Sequence, residues 1–325
     1  MTYSAPRSRP GIMALAISGG LAALLGGCGG GGGAVASAPA PASALPAPPF
    51  PMTQNASYAA TTARSGYRGH VGDGIFTSST AVIDEAGATG RTSANTFAYN
   101  AVSGTYTVTD QSGSASFTAA DRVTATGYAD KYVLQSAGRT DTLTAYGNLR
   151  SGIAGTPPIT LTYSSFAQWD TVQTSPETTR TAYFTFGEPT GTAMPHTGTA
   201  SYATTVRATA LSGTYAPVTM QGVTGLATFS ADFAAGSVAT TLQLSWPNAT
   251  YNGAGTINAD HFDGTFTSNS PTFGSGSFFG SFYGPNAAEV GYSFMIAHVN
   301  PDPYAGASIA PGQIYLTGIV AGAKN

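Results

Sequence analysis

The chain has 325 residues, only 8% of them charged, with twelve Lys and Arg against fifteen Asp and Glu. Cations this sparse exclude a nucleic-acid partner, whose phosphates need grouped Lys and Arg, and they form no basic patch for anionic lipid. A single cysteine excludes an internal disulfide once that cysteine is modified, so the folded part is held by packing alone.

Residues 1–11 contain Arg7 and Arg9 and no acid, and an apolar run follows over 12–25, the layout of a secretory signal. The run is too short to span a bilayer, which takes about 20 residues. It ends in Leu25-Gly26-Gly27-Cys28, which resembles the lipobox of bacterial lipoproteins: an aliphatic residue, two small residues that let a peptidase reach the backbone, then cysteine. The resemblance implies a signal peptide over residues 1–27, cleavage before Cys28 and a diacylglycerol thioether on Cys28. One acyl chain anchors only marginally, and further acylation (palmitate or similar) of the same cysteine would complete such an anchor. Position 29 is Gly and not the Asp that suggests inner-membrane retention, so a lipid-anchored outer-membrane location in a Gram-negative bacterium is expected, facing the periplasm or the cell surface. Losing Arg7 and Arg9 with the signal leaves ten of the twelve bases against all fifteen acids.

Residues 28–54 are Gly-, Ala-, Ser- and Pro-rich and read as a tether, because such a composition buries too little apolar surface to offset its conformational entropy. From there on Gly, Thr, Ser, Ala, Tyr and Phe dominate, and apolar residues do not recur at helical spacing. Short alternating runs bounded by Gly, Asn, Asp and Pro recur instead, which marks an all-β protein of short antiparallel strands. Strand-length segments at 96–99, 106–109, 142–146, 159–166 and 183–186 are irregularly spaced. They suggest an irregular, handle-like antiparallel β domain over 55–180. The C-terminal part, 181–325, reads as eight strands near 199–210, 225–234, 237–246, 251–258, 261–267, 274–283, 289–298 and 312–320. Eight strands with short connections suit an antiparallel up-and-down barrel, whose closure removes exposed sheet edges.

One run within that part is specific. Gly276-Ser277-Phe278-Phe279-Gly280-Ser281-Phe282-Tyr283-Gly284-Pro285-Asn286-Ala287-Ala288-Glu289-Val290-Gly291 resembles the barrel signature of the transferrin-binding protein B family. Gly187-Glu188-Pro189-Thr190, the stretch from Met194 to Tyr202, and Ala231-Asp232-Phe233 are similar to that family's barrel entry and second hairpin. Tyr292 stands where the family closes on a second glycine. Physically the run is a strand, a reversal at Gly284-Pro285-Asn286 and a strand, with Phe278, Gly280 and Phe282 on one face. The resemblance implies a monomeric, non-catalytic binding lipoprotein with no required cofactor, whose partner is haem or an iron-carrying protein. The alternative is a structural or adhesive envelope protein with no iron ligand.

Residues with chemistry to offer are few. There is no Gly-x-Ser-x-Gly elbow, phosphate loop or dinucleotide fingerprint. For haem, a His or Tyr on a loop against an apolar wall is the requirement. His70, in the stretch from Tyr67 to Gly74, and His196, ahead of the barrel, are the candidate ligands. Asp260-His261-x-Asp263 has the residue types of a cation site, but reads more simply as a polar turn. Trp169 and Trp246 could be surface anchors for a partner, Trp246 being the better core candidate.

Overall fold

In the computed structural model the described residues are 52–69, 81–125, 129–147, 159–213, 218–299 and 313–325. Cys28, His70 and both the expected signal and the expected tether up to residue 51 lie outside them. Nine strands make the first sheet: β1 (Ala56–Arg68), β2 (Val82–Asn100), β3 (Thr105–Asp110), β4 (Gly113–Phe117), β5 (Arg122–Ala125), β6 (Ala129–Ser136), β7 (Arg139–Tyr146), β8 (Ser164–Thr174) and β9 (Glu177–Gly187). Nine more make the second: β10 (Thr199–Ser212), β11 (Thr219–Val223), β12 (Gly225–Asp232), β13 (Ser237–Leu244), β14 (Ala249–Asn258), β15 (His261–Thr267), β16 (Phe273–Tyr283), β17 (Glu289–Val299) and β18 (Gln313–Lys324). No α-helix occurs among the described residues, so the chain is all-β, as its period-two patterning requires.

The second sheet is a closed barrel. Each strand from β12 to β18 pairs antiparallel with the next, and β10 pairs with β12 on one edge and with β18 on the other. β11 and β12 face β10 in a single register, so they are one barrel strand whose pairing lapses opposite residues 203–207 of β10. The eight-stranded count therefore stands, and the 219–223 segment that the alternation did not reveal is the near end of the second strand. Alternation sets the faces: along β13, Val238, Thr240, Leu242 and Leu244 are buried while Ala239 and Gln243 are exposed.

Aromatic rings fill the interior. Phe229, Phe262, Phe278, Phe282, Tyr251, Tyr292 and Phe294 are all fully buried or nearly so, and Phe229 and Phe262 each meet the other, Phe282 and Tyr292 with centroids 5.1 to 6.3 Å apart. An eight-stranded barrel has room for its own side chains and little else, and rings this large fit only because glycines face them. A Cβ on Gly280 would run into Phe262 Cζ, and one on Gly264 would run into Phe278 Cζ. Tyr292 is fully buried among these rings and joins its hydroxyl to Thr240 Oγ1 at 2.8 Å.

The first sheet has the order β4-β3-β2-β1-β9-β8-β7-β6-β5 and does not close by hydrogen bonding. It curls far enough that Tyr106 of β3 and Tyr132 of β6 meet at 5.6 Å. Its own core stacks Phe97 on Phe186 at 4.1 Å and an interplanar angle of 3°. Residues 159–166, expected as one strand, are not: regular pairing starts at Ser164 and the preceding residues are irregular. Ile159 and Leu161 are nevertheless buried, packed with Ala63, Phe166 and Tyr183 of the first sheet against Ile319 and Ala321 on the outer face of β18. Leu45–Asn325 is one compact unit, in which the handle sheet lies on the outside of the barrel.

Candidate functional site

The signature run serves first as a clamp. Its Glu289, 3% exposed, accepts hydrogen bonds from the backbone N–H groups of Thr162, Tyr163 and Ser164 and from Ser164 Oγ at 2.6 Å. This is why residues 162 and 163, just ahead of β8, stay out of the strand: their donors turn to a carboxylate and not to a neighbouring strand. Burial pushes the Glu289 carboxyl above its ordinary pKa, and the hydrogen bonds from Ser164 and the three N–H groups pull against that. Gly284, at φ 70°, presents bare backbone to the Tyr163 ring, which a Cβ at that position would strike. Ser293 Oγ donates to the Thr89 carbonyl at 3.0 Å, and Tyr183 and Thr209 join hydroxyls at 2.8 Å, so the handle is tied to the barrel along β2, β9, β10 and β17.

The Asp260 turn belongs to the same clamp. Arg91 of β2 donates from Nη2 to both Asp260 oxygens at 2.9 and 3.0 Å, and Gly191 N–H donates to Oδ2 at 3.3 Å. Burial alone would raise the Asp260 carboxyl, but the Arg91 hydrogen bonds and charge outweigh it and hold the carboxyl below its ordinary range. With its carboxylate committed to a guanidinium, the Asp260-His261-x-Asp263 cluster is a structural turn. No group of three or more His, Cys, Asp or Glu among the described residues is placed to hold a metal ion.

His196 lies beside this turn. It is exposed and lines a cavity of about 620 Å3 at the end of the barrel, whose walls include Met194, Pro195, Phe233, Ile257 and Asp260. The Gly191–Ala193 3-10 turn and the tight turn at residues 233–236 build that rim. An imidazole there, beside the largely buried side chains of Phe233 and Met194, has the residue types that an axial haem ligand requires. His261 is exposed on the outer barrel face. His298 is buried at the opposite end, its ring nitrogens 2.6 Å from Tyr251 Oη and 2.8 Å from Thr272 Oγ1. The structure therefore brings none of the described histidines together.

Residues 194–313 match the family model described as the C-lobe and N-lobe beta barrels of Tf-binding protein B. Over these residues the barrel is similar to the barrels of the Tf-binding protein B family. The match starts beside His196 and takes in the whole signature run and the clamp residues Asp260 and Glu289. Solved structures similar to this chain include a mutant of transferrin binding protein B from Actinobacillus pleuropneumoniae H49, with 14% identity over 81% of this chain and 99% of that one and a TM-score of 0.39. Others are the haemoglobin receptor HpuA from Kingella denitrificans (13%, 85% and 88%, TM-score 0.37) and isotype 1 transferrin binding protein B from serogroup B Neisseria meningitidis (11%, 84% and 77%, TM-score 0.34). At such identities and TM-scores these likenesses place no residue and no ligand on this chain. No curated protein sequence matches it.

Of the two tryptophans, one changes meaning in the fold and the other keeps its core reading. Trp169 is 4% exposed in the handle core, where its Nε1 donates to Asp141 at 2.9 Å, so it is no surface anchor. Trp246 is partly buried against the barrel core. The residues that composition did not flag are the lone acids and cations of the clamp, Arg91 and Glu289, whose partners are 169 and about 125 positions away in sequence. Such separations leave no local pattern to read.

Proposed function

We propose that this protein is a non-catalytic binding lipoprotein, anchored through Cys28 to the outer membrane, that captures an iron-carrying protein or its haem. The observation that carries this is the match of residues 194–313 to the barrels of Tf-binding protein B. The architecture supports it: the barrel interior is packed with rings, so a ligand meets the loops and the outer surface, where binding residues sit on a rigid scaffold. Within that reading, the exposed His196 at the rim of its cavity is the candidate haem contact, and His70 is the second. The HpuA structure from Kingella denitrificans was solved in complex with human haemoglobin, which makes haemoglobin the first iron protein to try.

The test is a pull-down of transferrin, haemoglobin and free hemin with the chain, followed by hemin titration. Retention of an iron protein or appearance of a Soret band is the expected result, and His196→Ala weakening the band would assign the ligand. No retention of any of the three would leave the structural or adhesive reading. Acyl labelling lost on Cys28→Ser checks the anchor.

A further inference from the structure

A second cavity, about 640 Å3, lies between the handle and the barrel, with β6 to β9 on one side and β10 and β11 on the other. Its volume is that of a small-molecule site, and its charge is unusual for this chain. Of the Lys and Arg among the described residues, Arg64, Arg68, Arg91, Arg122, Arg139 and Arg180 are in ion pairs. Lys131, Arg207 and Lys324 are not, and Lys324 donates instead to the Asn286 carbonyl. The other two both line this cleft.

Arg207 stands on the outer face of β10 where pairing with the β11–β12 strand lapses. Its guanidinium lies 5.0 Å from the Tyr146 ring centroid, and its Nε is buried with no hydrogen-bond partner. Stacking fixes the plane of the cation while leaving its donors free, and a buried donor without an acceptor costs stability unless something accepts from it. Across the cleft, Lys131, Thr144, Gln168 and Tyr183 form one cross-strand row. The neighbouring acid, Asp170, accepts from Gln168 Nε2 at 3.0 Å and Thr181 Oγ1 at 2.7 Å; it forms no ion pair with either cation, though the Lys131 charge acts on it.

We propose that this cleft binds a small polyvalent oxyanion, a polycarboxylate or an inorganic phosphate, with Arg207 as the forked contact and Lys131 as the point charge. A guanidinium presents parallel N–H donors that match two oxygens of either group. Thr144 adds a neutral hydroxyl, and the Tyr146 and Tyr183 rings with Met220 form an apolar wall beside Arg207.

Isothermal titration of the full chain in detergent, at low ionic strength, with citrate and separately with pyrophosphate tests this. Binding of at least one anion is expected, weakened by added salt. Arg207→Gln should weaken it by about tenfold or more, and Lys131→Gln by a smaller factor. Citrate alone would identify carboxylate as the ligand chemistry, pyrophosphate alone phosphate, and both a general oxyanion site. Binding of neither anion, or affinity unchanged in both variants, overturns the proposal. Lys131 is exposed, so its variant preserves the test if Arg207→Gln does not fold. Neither residue lies in the His196 cavity, so this result and that of the hemin titration are independent.

Discussion

The barrel closes on itself because β10 has a partner on each edge, whereas the handle sheet stops at β4 and β5, whose outer edges carry no strand among the described residues. The interiors differ in the same sense. Barrel rings press against glycine backbone with no space to spare, as at Phe262 and Gly280. The handle core accepts charge: Asp141, 3% exposed, takes hydrogen bonds from Trp169 Nε1 and Thr171 Oγ1, each at 2.9 Å, and pairs with Arg139 at 2.7 Å. A closed wall fixes the volume inside it, so shape decides what fits. An open, curled sheet admits solvent at its margins, so a buried carboxylate there can keep a partly exposed cation.

The join between the two is the first place to break this contrast. Glu289→Ala should cost about 3 kcal/mol or more, since several donors lose their acceptor at once. Calorimetry should then show the single unfolding transition separating into two, and a variant that still melts as one unit would mean the clamp is dispensable. Within the barrel, Gly280→Ala should cost about 2 to 3 kcal/mol by overpacking against Phe262, read from urea midpoints. In the handle, Asp141→Ala should cost about 2 kcal/mol by stranding the Trp169 and Thr171 donors, with Trp169 fluorescence reporting the loosening. A glycine substitution tolerated better in the barrel than the handle change would contradict the account of a rigid interior.

The smallest effect concerns pH. Burial depresses the His298 pKa below its ordinary 6.5. The folded state thus holds its proton less tightly than the unfolded chain, so His298 contributes stability that is present above about pH 6.5 and lost as pH falls through the folded value. The loss should be the smallest of these effects, since one group titrates. It would appear as a steeper decline in stability between about pH 7 and pH 5 in the parent than in His298→Gln.

The barrel was legible because each of its strands carries its own evidence. Along β13 alternation separates the buried from the exposed side, and the glycine, asparagine and proline of the reversal at 284–286 announce where the chain turns back. The handle was less so. β1, rich in Thr, Ser and Ala, has the handle core on one face and the barrel on the other, so both faces of its middle are buried, which erases alternation. The segment 159–166 misled for a related reason, since its apolar residues are buried by docking and its donors go to Glu289.

The amino-acid sequence by itself determined the all-β class, the number and phase of the barrel strands and the family likeness of the run ending at Gly291, because strand period and turn chemistry are local properties. It also placed His196 ahead of the barrel. Only the tertiary structure decided what surrounds that histidine, that Arg91 reaches Asp260, that Glu289 holds the handle, and that Arg207 and Lys131 share one cleft. Those are contacts between segments far apart in the chain, and they exist only once two sheets have curled around separate cores and packed together.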